Sequence, residues 1–319
     1  MAIKTPQSKE YKIVIAGLDN AGKTSSLIAL RQKYNFYEKV KNLKPTIKVD
    51  YSSFKFLNNN IYFWDMGGQE KYRKIYVKDK IYFSETDYLY FIIDIQDELK
   101  FEQAIQYLHA ILDIYRDFEY SNEIIVCFDK YDPKYQDNQE FTDRVEMIKN
   151  LIIKQNKDMN FKFFNMSYYN IALISKAFSY SLNKFLNLHQ VNAQIQQLVN
   201  NYGCNHAILY NDDGIIISDH YNEIMDSRDF EEIISSRINE DLEFFQRIKN
   251  DNVEIDERLI ISQEKVDYAK KYSIVLNKKQ HIFYLGISIP PEKMKEIKME
   301  LSEFQNLLES SLNQIKTKS

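Results

Sequence analysis

The chain has 319 residues, 44% of them hydrophobic, and a formal net charge of −4 from 42 Lys and Arg against 46 Asp and Glu. That length favours two domains over one, and the interspersed charges lack the basic footprint of a nucleic-acid binder. Two cysteines, Cys127 and Cys204, are too few for a disulfide framework, and Cys204 with His206 falls short of a metal site, so a reducing, cytoplasmic setting is expected.

No apolar run approaches the roughly 18 residues of a membrane span. Residues 1–10 are too polar for a signal peptide, and Ala2 stands where N-myristoylation needs glycine. No intrinsic membrane anchor is expected; partners would supply any recruitment to a membrane surface.

The first apolar run, Tyr11 to Ala16, leads into Gly17-Leu18-Asp19-Asn20-Ala21-Gly22-Lys23-Thr24 and then a helical pattern from Ser25 to about Tyr34. Strand, glycine-bearing loop and helix is the context a phosphate-binding loop requires. Gly17 and Gly22 let the backbone turn so that N–H groups point inward, and the helix dipole adds positive potential at the same place. Lys23 suits the β- and γ-phosphates and Thr24 suits Mg²⁺. Asp19, Asn20, Ala21, Gly22, Lys23, Thr24 and Ser25 are therefore candidate nucleotide contacts.

Next come Pro45-Thr46 and an alternating stretch from Ile47 to Phe56, which predicts a half-buried strand. Asn58-Asn59-Asn60 predicts a tight turn, and Ile61 to Trp64 the returning strand of a hairpin. Thr46 is placed to bring a second hydroxyl to Mg²⁺. The hairpin ends in Asp65-Met66-Gly67-Gly68-Gln69-Glu70. A carboxylate at the tip of a buried strand suits Asp65 to serve a cation through water. Gly68 can bring a backbone N–H to a γ-phosphate, and Gln69 has the donor and acceptor needed to orient an attacking water. Gln69 and Lys23 are the candidate catalytic residues; Trp64 reads as core.

Tyr88 to Ile93 is a continuous apolar run typical of a central parallel strand, followed by a helix over about 98–118 and another buried strand over 123–128. Asp129-Lys130-Tyr131-Asp132 stands at that strand's carboxyl end. Asp132 can accept from both N1–H and the exocyclic amine of guanine, and the stem of Lys130 can lie over the base. A helix over about 138–155 and a strand over 161–166 precede Ser167-Tyr168-Tyr169-Asn170, whose backbone can cap the far side of the base. Ser167 and Tyr168 complete the nucleotide set.

These motifs in this order resemble the Ras-superfamily small GTPases. Residues 17–24 and Trp64-Asp65-Met66-Gly67-Gly68-Gln69 are most similar to the Arf and Arf-like branch. Ser53 to Asn59, Asp129 in place of Asn, and Met166-Ser167-Tyr168-Tyr169 through Ala177-Phe178-Ser179 look more like the Rag (Gtr) GTPases. The resemblance implies an α/β P-loop G domain with a mostly parallel sheet, GTP/GDP and Mg²⁺ as ligands, and regulators of the GAP and GEF type. It also implies two mobile loops, about Phe36–Lys48 and Met66–Glu85. Three departures stand out. An ionised Asp129 only accepts hydrogen bonds, so weaker base affinity is expected although Asp132 is kept. The Thr-Ser-Ala-Lys-like motif is reduced to Met166-Ser167-Tyr168-Tyr169, which implies weaker or faster-exchanging nucleotide. The amphipathic N-terminal helix of the Arf type is missing.

The second half changes pattern. A helix is expected to about Val199, then strands Ala207–Tyr210 and Ile215–Ser218 around an Asn211-Asp212-Asp213-Gly214 turn. A helix from Phe230 to about Lys249, three strands between Glu257 and Ser288, and a last amphipathic helix follow. This order predicts an α+β domain with a five-stranded antiparallel sheet. It resembles the roadblock (longin-like) domain that pairs with another such domain in Rag GTPases. The expected division is 1–188 for the G domain and 189–319 for a roadblock-like dimerisation domain. The expected function is a slow GTP-hydrolysing switch; a scaffold that holds nucleotide, or none, is the alternative.

Overall fold

The computed structural model describes residues 9–31, 40–41, 43–56, 59–135, 138–169, 171–186, 188–212, 215–222, 227–251, 253–276 and 279–314. Residues 36–39 and 42 of the first expected mobile loop, Asn58 of the expected Asn58-Asn59-Asn60 turn, and Asp213-Gly214 lie outside these residues; Asn59 and Asn60 belong to a strand. The chain forms two compact units, Gln7–Ala177 and Phe178–Ser319. Among the described residues no helix is long and apolar enough to cross a membrane.

The first unit contains strands β1 (Glu10–Gly17), β2 (Val49–Phe56), β3 (Asn59–Met66), β4 (Tyr88–Asp94), β5 (Ile124–Asp129) and β6 (Phe161–Asn165). Its helices are α1 (Lys23–Arg31), α2 (Glu70–Lys78), α3 (Phe101–Asp117) and α4 (Gln139–Gln155), and α5 (Ile171–Leu186) carries the chain across the division between the units. The sheet order is β2-β3-β1-β4-β5-β6, parallel throughout except for the β2–β3 hairpin. β4 and β5 are buried almost throughout, as strands covered on both faces must be, which explains their unbroken apolar runs. α3 buries Phe101, Ile105, Leu108, Leu112 and Tyr115, the helical stripe visible in the sequence. α4 starts where the side chain of Asn138 accepts from the Glu140 N–H.

One expectation needs correction and one is refined. Trp64 is half-buried and packs against the hydrophobic core from the rim: along β3 Ile61, Phe63, Asp65 and Met66 are buried, and the strand's period of two turns Trp64 to the opposite face from Phe63. There the Lys12 ammonium lies 3.6 Å from its ring centroid and Tyr51 meets it edge-on. The expected loop over Met66–Glu85 contains α2 and a 3-10 turn, Lys80–Phe83. α2 buries Tyr72, Arg73 and Tyr76 among charged neighbours, a pattern too polar to read as an amphipathic helix.

The second unit contains α6 (His189–Tyr202), β7 (His206–Asn211), β8 (Ile216–Tyr221), α7 (Ser227–Asn250), β9 (Glu257–Ile261), β10 (Val266–Leu276), β11 (Lys279–Ile289) and α8 (Met294–Gln314). Its five strands form one antiparallel sheet in the order β8-β7-β11-β10-β9. α6 ends at Gly203, whose φ of 62° supplies the left-handed cap. A buried carboxylate, Asp241, receives Arg237 Nε at 3.0 Å, Arg258 Nη1 at 2.6 Å and Tyr210 OH at 3.1 Å. The three donors satisfy a charge that would otherwise be costly inside.

Candidate nucleotide-binding site

Register fixes where the functional strings meet. Ile15 pairs with Asp65, Gly17 with Ile92, Asp94 with Asp129, and Phe128 with Asn165. The carboxyl ends of β1, β3, β4, β5 and β6 thus share one edge of the sheet, where open α/β sheets bind ligands. At that edge lies a cleft of about 960 Å³, at the large end of the usual range for small-molecule sites. Asp19, Asn20, Ala21, Gly22, Lys23, Thr24, Ser25, Thr46, Gly68, Gln69, Lys130, Asp132 and Tyr168 all line it. Asp65 and Ser167 do not line the cleft but bond to residues that do.

The loop after β1 needs its glycines. Gly17 has φ +147° and Gly22 φ +94°, and a Cβ on Gly22 would overlap Asp129 Oδ2 and lie 2.8 Å from its Cγ. Lys23 is buried and donates to the carbonyls of Leu18 at 2.6 Å and Gly17 at 3.2 Å. Burial lowers its pKa to about 8, opposed by Asp65 and Asp19 and reinforced by Arg73. It remains mostly a cation at neutral pH.

Thr24 Oγ1 lies 2.9 Å from Thr46 Oγ1 and donates to Asp65 Oδ2 at 2.5 Å. Asp65 Oδ1 is buried with no hydrogen-bond partner among the described residues. Burial raises the Asp65 pKa, against the pull of Lys23 and Thr24. Two hydroxyls beside an orphaned, buried carboxylate oxygen are the hard oxygen donors that Mg²⁺ takes, so the donor set fits that ion.

Gly68 packs its backbone on the phosphate loop: a Cβ there would overlap the Leu18 carbonyl carbon and the Asp19 nitrogen. Gly67 donates to the Lys48 carbonyl at 2.7 Å and ties this turn to the loop bearing Thr46. Gln69 precedes α2, and its side chain makes no capping bond. Arg73 was not singled out by sequence reasoning. It is buried, donates from Nε to the Gly68 carbonyl at 2.9 Å, and stacks on Tyr107. Arg73 therefore holds the Gly68 turn from below, and no arginine among the described residues lines the cleft.

At the other end Asp132 is buried and accepts from Ser167 Oγ at 2.7 Å and Gln96 Nε2 at 3.0 Å. Gln96 also donates to the Lys130 carbonyl at 2.8 Å, a brace that no local string announces. Lys130 adopts φ +63° and its ammonium bonds Asp94 at 2.6 Å. The Tyr168 hydroxyl donates to that of Tyr169 at 2.6 Å, and the rings lie 4.1 Å apart. Asp129 is fully buried. Burial raises its pKa to about 7, with Asp94 and Asp132 acting in the same direction and the Lys130 N–H and ammonium against it. At neutral pH part of the Asp129 population therefore carries a proton, and the restriction to accepting hydrogen bonds holds for its ionised form only.

The parallel sheet, the glycine loop and the cleft together define a P-loop nucleotide-binding domain. The family model for the ADP-ribosylation factor family matches residues 1–185, and the chain belongs to that family of small GTPases, whose members are GTP hydrolases. The ADP-ribosylation factor-like protein 5 of Caenorhabditis elegans is 36% identical over 105 residues, which cover 33% of this chain and 54% of that protein. The chain thus spans about half the length of that curated relative. The structure of the Arl6 BBS3 small GTPase from Trypanosoma brucei, solved with the nucleotide analogue GppNp, is similar at a TM-score of 0.45 and 19% identity, covering 55% of this chain and 97% of that one.

Proposed function

We propose that the first unit is a guanine-nucleotide switch that binds GTP and GDP with Mg²⁺ and hydrolyses GTP slowly. The observation that carries this reading is the convergence of Lys23, Thr24, Thr46, Asp65, Gly68 and Gln69 at one end of the cleft and of Asp132, braced by Ser167 and Gln96, at the other. The two ends match a molecule that is anionic at one end and a hydrogen-bond donor pair at the other.

In this account the loop N–H groups and Lys23 cradle the phosphates, and Asp132 selects guanine. Thr24, Thr46 and, through water, Asp65 would hold Mg²⁺, which supplies charge neutralisation on the phosphate oxygens. Gln69 orients the attacking water, and Lys23 stabilises charge that develops as the γ-phosphate leaves. With Arg73 held by Gly68 and Tyr107, no described arginine is left to assist, so intrinsic turnover is expected at roughly 10⁻⁴ to 10⁻² s⁻¹. Loss of the γ-phosphate releases Thr46 and Gly68 and so changes the surface offered to effectors and regulators.

The second unit has the element order of two strands, a helix, three strands and a helix that was expected of a roadblock-like domain, which supports pairing with another such domain and a Rag-like arrangement of the whole. Single-turnover hydrolysis of GTP by wild type and Gln69→Leu tests the switch. The reading expects the variant to keep GTP and lose turnover by at least tenfold. Equal rates, or no turnover in either, would leave a scaffold as the better account.

A further inference from the structure

Among the side chains that line the cleft, Asp129 takes no part in the phosphate, magnesium and Asp132 assignments. Asp129 closes β5 in the same turn as Asp132, and its Oδ2 lies against Gly22 of the phosphate loop. Its Oδ1 is buried with no hydrogen-bond partner among the described residues, and the residue lines the cleft. A buried polar atom without a partner, placed on a ligand cleft, implies that the ligand supplies one.

The chemistry of that partner follows from the base. Guanine has a donor edge, N1–H and the 2-amine, and an acceptor edge, N7 and O6. Asp132 takes the donor edge in the reading above. The acceptor edge is left for a second group, and an ionised carboxylate would meet it lone pair against lone pair. A neutral carboxyl offers one O–H donor. We propose that Asp129 binds the N7/O6 edge of a guanine nucleotide as a neutral carboxylic acid, so that each nucleotide captured keeps one proton on the protein. This rests on the guanine reading of the cleft. The proton comes from solvent and returns there on release; no covalent bond changes.

The surroundings of Asp129 support a neutral form. Asp94 faces it from β4, and Asp132 stands in its own turn. The Lys130 ammonium is the opposing charge, and it is bonded to Asp94. From α1, next to Gly22, comes Lys23, whose ammonium is committed to loop carbonyls. Cys127 on β5 stays a neutral thiol, pushed well up by burial and by Asp129 itself. Asn165 and Ser167, from β6 and the turn beyond it, carry no charge.

The test uses the full chain stripped of nucleotide, titrated calorimetrically with GDP and Mg²⁺ between pH 6.0 and 8.5, beside Asp129→Asn. With a carboxyl that titrates near 7, wild type loses about thirtyfold in affinity over that range relative to Asp129→Asn, whose amide offers its N–H at every pH. Deprotonation of Lys23 affects both proteins and cancels in the ratio. A second arm needs no variant: 7-deaza-GDP lacks the N7 acceptor, so its wild-type affinity falls much less with pH than that of GDP. Parallel pH profiles for the two proteins, or for the two nucleotides on wild type, overturn the proposal while leaving tight GDP binding, and so the guanine reading, intact. If neither protein binds GDP at any pH, the guanine reading fails and the proposal falls with it.

Discussion

Gly67→Ala tests how the turn after β3 is coupled to the loop bearing Thr46. A Cβ on Gly67 would lie 2.7 Å from the Thr46 carbonyl oxygen, 2.8 Å from that of Lys48, and 3.1 Å from the Tyr72 ring. Carbon and carbonyl oxygen settle at about 3.3–3.6 Å, so both carbonyls must retreat by roughly half an ångström. The retreat strains the Gly67 N–H bond to Lys48, now 2.7 Å, and draws Thr46 Oγ1 away from Thr24. Misplacements of about 1 Å cost on the order of a hundredfold in rate, so a loss of about tenfold in GTP turnover is expected. GDP has no γ-phosphate to engage the Thr46 loop, so its affinity should stay within about threefold. Single-turnover hydrolysis and GDP titration on the same preparation read both quantities. Turnover within twofold of wild type, or an equal loss of GDP affinity, would refute the coupling of Gly67 to Thr46.

Other substitutions test the two ends of the cleft separately. Ser167→Ala removes a hydrogen bond to the buried Asp132 carboxylate; such bonds are worth about 1.5–3 kcal/mol, so GDP and GTP should weaken together by roughly tenfold or more, and unchanged titrations would count against Asp132 as the base contact. Thr46→Ala should weaken Mg²⁺-dependent GTP binding and spare GDP, which competition between the two nucleotides would show. Asp129 also sets a pH dependence of stability. Its folded pKa of about 7 lies above the ordinary 3.8, so the folded state holds more protons between those values and stability falls as pH rises through that window. The nucleotide-free Asp129→Asn chain should lack that fall, and matching slopes of thermal midpoint against pH would contradict it.

The parts of the site legible in the sequence are those that a short string must supply whole. Gly17 to Thr24 carries its own loop and helix start, and Asp65 to Gln69 and Asp129 to Asp132 each close a strand whose apolar run is visible. What escaped depends on partners far along the chain. Gln96 matters because the edge formed by β4 and β5 sets it beside Lys130 and Asp132. Arg73 looked like one charge among several until α2 turned it beneath Gly68 onto Tyr107. The state of Asp129 depends on complete burial, which residue type does not reveal. In the second unit the strands were legible one by one, but the pairing of β11 with both β7 and β10 is decided by long-range packing.

Denaturing the purified full chain and identifying the released nucleotide by ion-exchange chromatography decides whether the cleft holds guanine nucleotide. GDP or GTP is expected at close to one molecule per chain; an adenine nucleotide, or a chain that is empty and takes up no added GDP, would overturn the assignment of the cleft to guanine.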